Sequence, residues 1–126
     1  MKPQTRPVDL GLTRLHLPLP GWVSFLHRVS GVLLFLTLPL GVWALSASLA
    51  SEAGFRATVE CLTHPLAKMV ALALAWGFSH HLFAGLRHLA MDAHVGVDLN
   101  TARASSAAVL LASAVTTLAC AGWLFA

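Results

Sequence analysis

"VSGVLLFLTLPLGVWALSASLAS", Val29 to Ser51, runs for 23 residues without an aspartate, glutamate, lysine or arginine. A helix rises about 1.5 Å per residue, so about 20 mostly apolar residues cross the hydrocarbon of a bilayer. Two further stretches lack those charges, Met69 to Leu86 with 18 residues and Ala104 to Ala126 with 23. The middle one gains spanning length by starting near Leu62 and letting the Lys68 stem carry its ammonium back to the interface. At 57% hydrophobic and 10% charged, the 126 residues lie outside the composition of ordinary soluble domains. The expected fold class is an all-α membrane protein of three transmembrane helices, up, down and up, over about 21–50, 62–91 and 103–126. Residues 1–126 form one domain, with 1–20 as an arm before the first span.

Basic residues set the expected sidedness. Lys2, Arg6, Arg14 and Arg28 precede the first span, and Arg87 and Arg103 flank the connection between the second and third; only Arg56 and Lys68 lie near the other connection. Six against two puts the N-terminus in the cytoplasm, and the net charge of +3 reads as this asymmetry instead of as a nucleic-acid surface. Met1 to Leu19 has no apolar core followed by a small-residue cleavage site, which points to a bacterial inner membrane. Pro18 and Pro20 disfavour helix before Gly21, and Pro39 is expected to bend the first span. The segment from Ser48 to about Cys61 reads as a short polar loop, as does Asp92 to Arg103. Cys61 and Cys120 fall near the outer face and read as two unpaired thiols, and Cys61 with His64 is too sparse for a zinc site.

Two polar constellations interrupt this apolar frame. On the second helix Gly77, His81, Gly85 and His88 share one face, so that a histidine stands between positions with no side chain. Such a face suits a flat ligand, with His81 giving a ring nitrogen to iron; packing by an interhelical histidine is the equally weighted alternative. His80 points about 100° away. His88 and Asp92 lie near the interface, where hydrogen bonding or proton handling are open to them. In "SFLHRVSG", Ser24, His27, Arg28 and Gly31 fall at i, i+3, i+4 and i+7 on one stripe. A hydroxyl, an imidazole and a guanidinium there suit the carboxylates of a haem or the carbonyl oxygens of a quinone, against the plainer role of Arg28 as a lipid anchor.

With these blocks in view, the chain resembles the cytochrome b large membrane-anchor subunit of succinate dehydrogenase. "RPVDLGL" from Arg6, "SFLHRVSG" from Ser24 and "HLFAGLRHLAMD" from His81 match that family's pattern of RP, S-x-x-H-R-x-S-G and H-x-x-x-G-x-R-H-x-x-x-D, in order along nearly the whole chain. The resemblance implies a subunit of respiratory complex II, a succinate:quinone oxidoreductase. In it a second small membrane-anchor subunit shares a haem b, and an iron–sulfur subunit and a flavoprotein subunit carry the clusters, the FAD and succinate oxidation itself. It implies His81 as the axial haem ligand, Ser24 and Arg28 as quinone contacts, and His27 and Arg28 near the haem propionates. Asp92 completes the motif, with His88 and Asp92 as secondary or proton-relay positions. The extra histidine, His80, departs from the pattern. Alternatives from other classes are a histidine-lined transporter subunit, a haem-free structural anchor, and, within the same chemistry, a fumarate reductase anchor.

Overall fold

A computed structural model describes residues 17–126, which form four helices and no strand. They are α1 (Leu19–Ala50), α2 (Glu52–Thr63), α3 (Pro65–Asp92) and α4 (Leu99–Phe125). Lys2, Arg6, Arg14, the "RPVDLGL" block and most of the expected arm lie outside the described residues. α1, α3 and α4 are each long and apolar enough to cross a membrane.

α1 starts as the proline pair dictates. Pro18 is extended at φ −63° and ψ 158°, its carbonyl accepts from the Gly21 and Trp22 amides at 2.8 and 3.2 Å, and Pro20 occupies the first turn, where a missing N–H costs nothing. The helix then runs its 32 residues through Pro39. It ends at Ser51, whose extended backbone (φ −163°, ψ 162°) turns the chain.

The segment expected as a loop from Ser48 to Cys61 is instead mostly α2. Its causes are local: the Ser51 side chain accepts from the Gly54 amide at 3.0 Å, and Glu52 pairs with Arg56 one turn on. Phe55, Val59 and Leu62 at i, i+4 and i+7 give the helix an exposed apolar side, the form of a helix that lies in a membrane interface. Gly54 permits the close crossing of α2 over α1, because a Cβ there would run into the Ala47 carbonyl. Cys61 and Cys120 are both exposed, unpaired thiols.

Pro65 prevents α2 from continuing and opens α3, so the second span begins there and not near 62. At its far end His94, in the left-handed region at φ 63°, lets Val95 donate back to Ala90 and His94 to Met91, closing the helix in a Schellman turn. Asp98 then caps α4, accepting from the Thr101 amide at 3.0 Å, and so starts the last span at Leu99 instead of near 103. Hydrogen bonds from Thr101, its side chain first and its amide second, hold the Asp98 carboxyl below the usual carboxylate range.

α3 is the central element, packed on α1 and on α4. Its seam with α4 is built from small groups: Ser79 and Ala84 on α3, Ser106, Val109 and Ser113 on α4, all buried. In lipid no hydrophobic gain separates helix from hydrocarbon, so close approach across small side chains supplies the association. The hydroxyls of Ser106 and Ser113 bond to carbonyls of their own helix, Ala102 and Val109, at 2.7 Å, so their contribution to the seam is their size. At the opposite end Lys68 donates to the Leu124 carbonyl at 2.8 Å, filling an acceptor that the last turn of α4 leaves open. Ser106→Ala is therefore expected to leave the thermal midpoint of the purified protein nearly unchanged, whereas Ser106→Leu lowers stability by about 1–3 kcal/mol through overpacking; melting curves of the two side by side check this, and equal midpoints contradict it.

Candidate functional site

The site lies where the first three turns of α1 face the last four of α3. Backbone carbonyls there can only accept, which fixes the ring nitrogens opposite them as donors. His81 Nδ1 lies 3.0 Å from the His27 carbonyl and therefore carries its proton on Nδ1, leaving the Nε2 lone pair available. Ser30, buried at 1% exposure, donates to the same carbonyl at 2.9 Å and stands 3.3 Å from Nδ1. A histidine whose one N–H is tied to a backbone carbonyl is fixed in tautomer and orientation, the usual preparation of a metal-binding imidazole.

The absent side chains matter as much. A Cβ on Gly31 would sit 2.9 Å from His81 Cε1, so only glycine admits the ring where it is. A Cβ on Gly85 would be 3.4 Å from His27 Nε2, and one on Gly77 would meet only Leu33. The His27 ring fills the space over Gly85, stacked on His81 at 4.1 Å and 13° and tilted against His88 at 5.1 Å and 50°. Sequence periodicity put His81 and His88 on one face; that His27 lies between them required the packing of α1 on α3. Ser24 is half-buried one turn before the histidines, Arg28 is exposed on the same stripe, and Asp92 is exposed at the end of α3.

Two polar residues of α3 are sealed within the bundle. Arg87, at 7% exposure, donates through Nε to Ser105 Oγ at 3.0 Å and through a terminal nitrogen to the Ala102 carbonyl at 3.4 Å. The first two turns of α4 supply the acceptors that a buried guanidinium requires. His80 is fully buried, stacked on Trp76 at 5.5 Å, with Nε2 turned to the Val23 carbonyl at 3.4 Å. The two members of the doublet are thus unequal. His80 is sealed by protein on all sides, and His81 keeps a free nitrogen on a partly open face. Among the described residues no three histidine, cysteine, aspartate or glutamate side chains converge to hold a metal ion.

Three helices long and apolar enough to span a membrane, with one oriented imidazole where α1 meets α3, define an integral-membrane protein with a polar site inside its bundle. The family model for the succinate dehydrogenase/fumarate reductase transmembrane subunit matches residues 2–120, and the chain belongs to that family. It is 34% identical over 121 residues to the succinate dehydrogenase cytochrome b556 subunit of Coxiella burnetii, covering 95% of this chain and 97% of the relative. It is 32% identical over 110 residues to the subunit of the same name from Paracoccus denitrificans, covering 87% and 85%. The Rickettsia prowazekii subunit is 26% identical over 113 residues, covering 90% and 88%.

The role of Gly31 can be read directly. Gly31→Ala is expected to displace the His81 ring and shift its imidazole 15N resonances in labelled protein, while Gly41→Ala, where a Cβ meets nothing within 4 Å, leaves them in place. Unmoved His81 resonances in the Gly31 variant would contradict the close fit.

Proposed function

We propose that this chain is a membrane-anchor subunit of succinate dehydrogenase, respiratory complex II, that binds haem b together with a second small anchor subunit and helps to form the quinone-reduction site. The observation that carries the reading is the His81 imidazole, oriented by the His27 carbonyl, unencumbered at Nε2 and flanked by glycines. The family supports the setting, and the cytochrome b556 name of the relatives supports the cofactor.

The residues of this chain fit the haem in donor chemistry: His81 is a neutral imidazole with its Nδ1 proton tied to a carbonyl and Nε2 left to bind. His81 would hold the iron, and His27 and Arg28, on the neighbouring stripe of α1, would be available to the haem carboxylates. When bound, haem b supplies a one-electron carrier within the membrane. The His27 ring is stacked on the face of His81. With His81 as the one ligand from this chain, the second small anchor subunit would supply the other.

The quinone is the substrate. Its reduction takes two electrons, delivered from an iron–sulfur subunit, and two protons. Ser24 donates a hydrogen bond to one carbonyl oxygen, and the Arg28 guanidinium stabilises the negative charge that develops on the ring oxygens as electrons arrive. Arg28 is exposed on α1, which leaves it open to a neighbouring subunit and to a ligand entering from lipid. With the N-terminus cytoplasmic, the beginning of α1, the end of α3 and the start of α4 form the cytoplasmic end of the bundle. Protons then enter from water, with His27, His88 and Asp92 as the titratable groups on the way. Succinate oxidation, the FAD and the clusters belong to the flavoprotein and iron–sulfur partners, and the location is the bacterial inner membrane.

A transporter reading would need polar side chains on α4 facing the histidines. Ser106, Ser113, Thr116 and Thr117 instead bond to carbonyls of α4 itself.

The first test is a reduced-minus-oxidised absorption spectrum of the complex purified through this chain. His81→Ala is expected to abolish or alter the b-type signal and His80→Ala to retain it; absence of any haem in the wild-type complex would remove the ligand role. Arg28→Lys, which keeps the charge and loses the planar paired donors, is expected to reduce quinone turnover about tenfold or more at normal assembly. Unchanged turnover would count against a direct Arg28 contact.

A further inference from the structure

His80 has no place in the ligand set, yet it is the largest fully buried side chain among the described residues. It stands at 0% exposure in the α1–α3 seam. The Val23 carbonyl fixes its tautomer: Nε2 must carry the proton that points to that oxygen, and Nδ1 is then a bare acceptor with no hydrogen-bond partner. A buried imidazole with one nitrogen unsatisfied is costly relative to an apolar side chain of the same size. The bond it does make, at 3.4 Å, is long for N–H···O. Packing alone therefore does not account for a histidine here, since a phenylalanine would stack on Trp76 without an orphaned nitrogen.

The position of its acceptor does account for it. His80 and His81 are neighbours in sequence, and the carbonyls they address, Val23 and His27, are one turn apart in α1. Successive residues of α3 thus hold successive turns of α1, one through Nε2 and one through Nδ1. Between these two points lies Ser24, whose peptide nitrogen is bonded directly to the Val23 carbonyl carbon. A shift of α1 along α3 would break both bonds and would move Ser24 and His27 together.

We propose that His80 is a positioning residue: its Nε2–H, donated to the Val23 carbonyl, sets the height of α1 against α3, and through it the placement of the Ser24 hydroxyl and of the His27 carbonyl that orients His81. The inference rests on the reading of Ser24 as a quinone contact and of His81 as the haem ligand. Its backbone consequence, a held first turn of α1, does not.

The experiment compares His80→Phe, which keeps the stack on Trp76 but has no donor, with His80→Gln, whose amide nitrogen reaches about as far as Nε2. Both are made in the full complex. Two quantities are read: hydrogen exchange of the α1 backbone over residues 21–31, and KM against kcat for a short-chain quinone. His80→Phe is expected to exchange several-fold faster in that segment and to raise KM about three- to tenfold, the range one such hydrogen bond spans, with kcat much less affected. His80→Gln is expected to restore both toward wild type. Wild-type exchange in His80→Phe, or equal impairment of Phe and Gln, overturns the proposal. Faster exchange with unchanged KM overturns the link to the quinone while leaving the clamp. A wild-type complex without quinone reductase activity overturns the functional reading, and the exchange data still decide the clamp. Should His80→Phe fail to assemble, His80→Asn replaces it: its shorter amide cannot reach the Nε2 position, so Asn and Gln behaving alike overturns the proposal.

Discussion

The carbonyl oxygen of His27 is the point on which the site depends. It accepts the Nδ1 proton of His81 at 3.0 Å and the hydroxyl of Ser30 at 2.9 Å, joining α1 to α3. In hydrocarbon an unpaired imidazole is expensive, so the bond both retains His81 within the membrane and decides which of its nitrogens remains available. The glycine at 31 follows from that bond, because the ring it draws in lies too close for any larger residue.

The same economy of polar groups organises the rest of the bundle. Arg87 is matched by Ser105 and the Ala102 carbonyl, and Lys68 by the Leu124 carbonyl, so each buried or half-buried cation ties α3 to one end of α4. The hydroxyls between those ends turn back on their own helix, which leaves the middle of the α3–α4 seam smooth and close-packed. α3 is consequently held at both ends on one side and through its histidines on the other. With α3 held on both sides, His81 is oriented within this chain before any ligand is bound.

Much of this was legible in the residues. Spanning helices are a one-dimensional property, set by the run of apolar side chains against bilayer thickness, and three helices of that length and composition are present. Their ends moved because caps are local chemistry that a hydropathy run does not weigh: Asp98 and Thr101 start α4 early, and Pro65 starts α3 late. The 12-residue α2 was hidden for a related reason, since Ser51, Glu52 and Arg56 read as polarity suited to a loop, while in fact they cap and brace a helix.

The sequence by itself determined the membrane class, the family and the faces on which Ser24, His27, Arg28 and His81 stand, because these follow from composition, motif order and the 3.6-residue period of a helix. Only the tertiary structure decided how adjacent histidines differ. Residues 100° apart on α3 meet different parts of α1, and the direction of a carbonyl on a neighbouring helix is not written in either helix alone. Crossing the two helices seals His80 against Trp76 and the Val23 carbonyl, leaves His81 one nitrogen to give, and sets the His27 ring between His81 and His88.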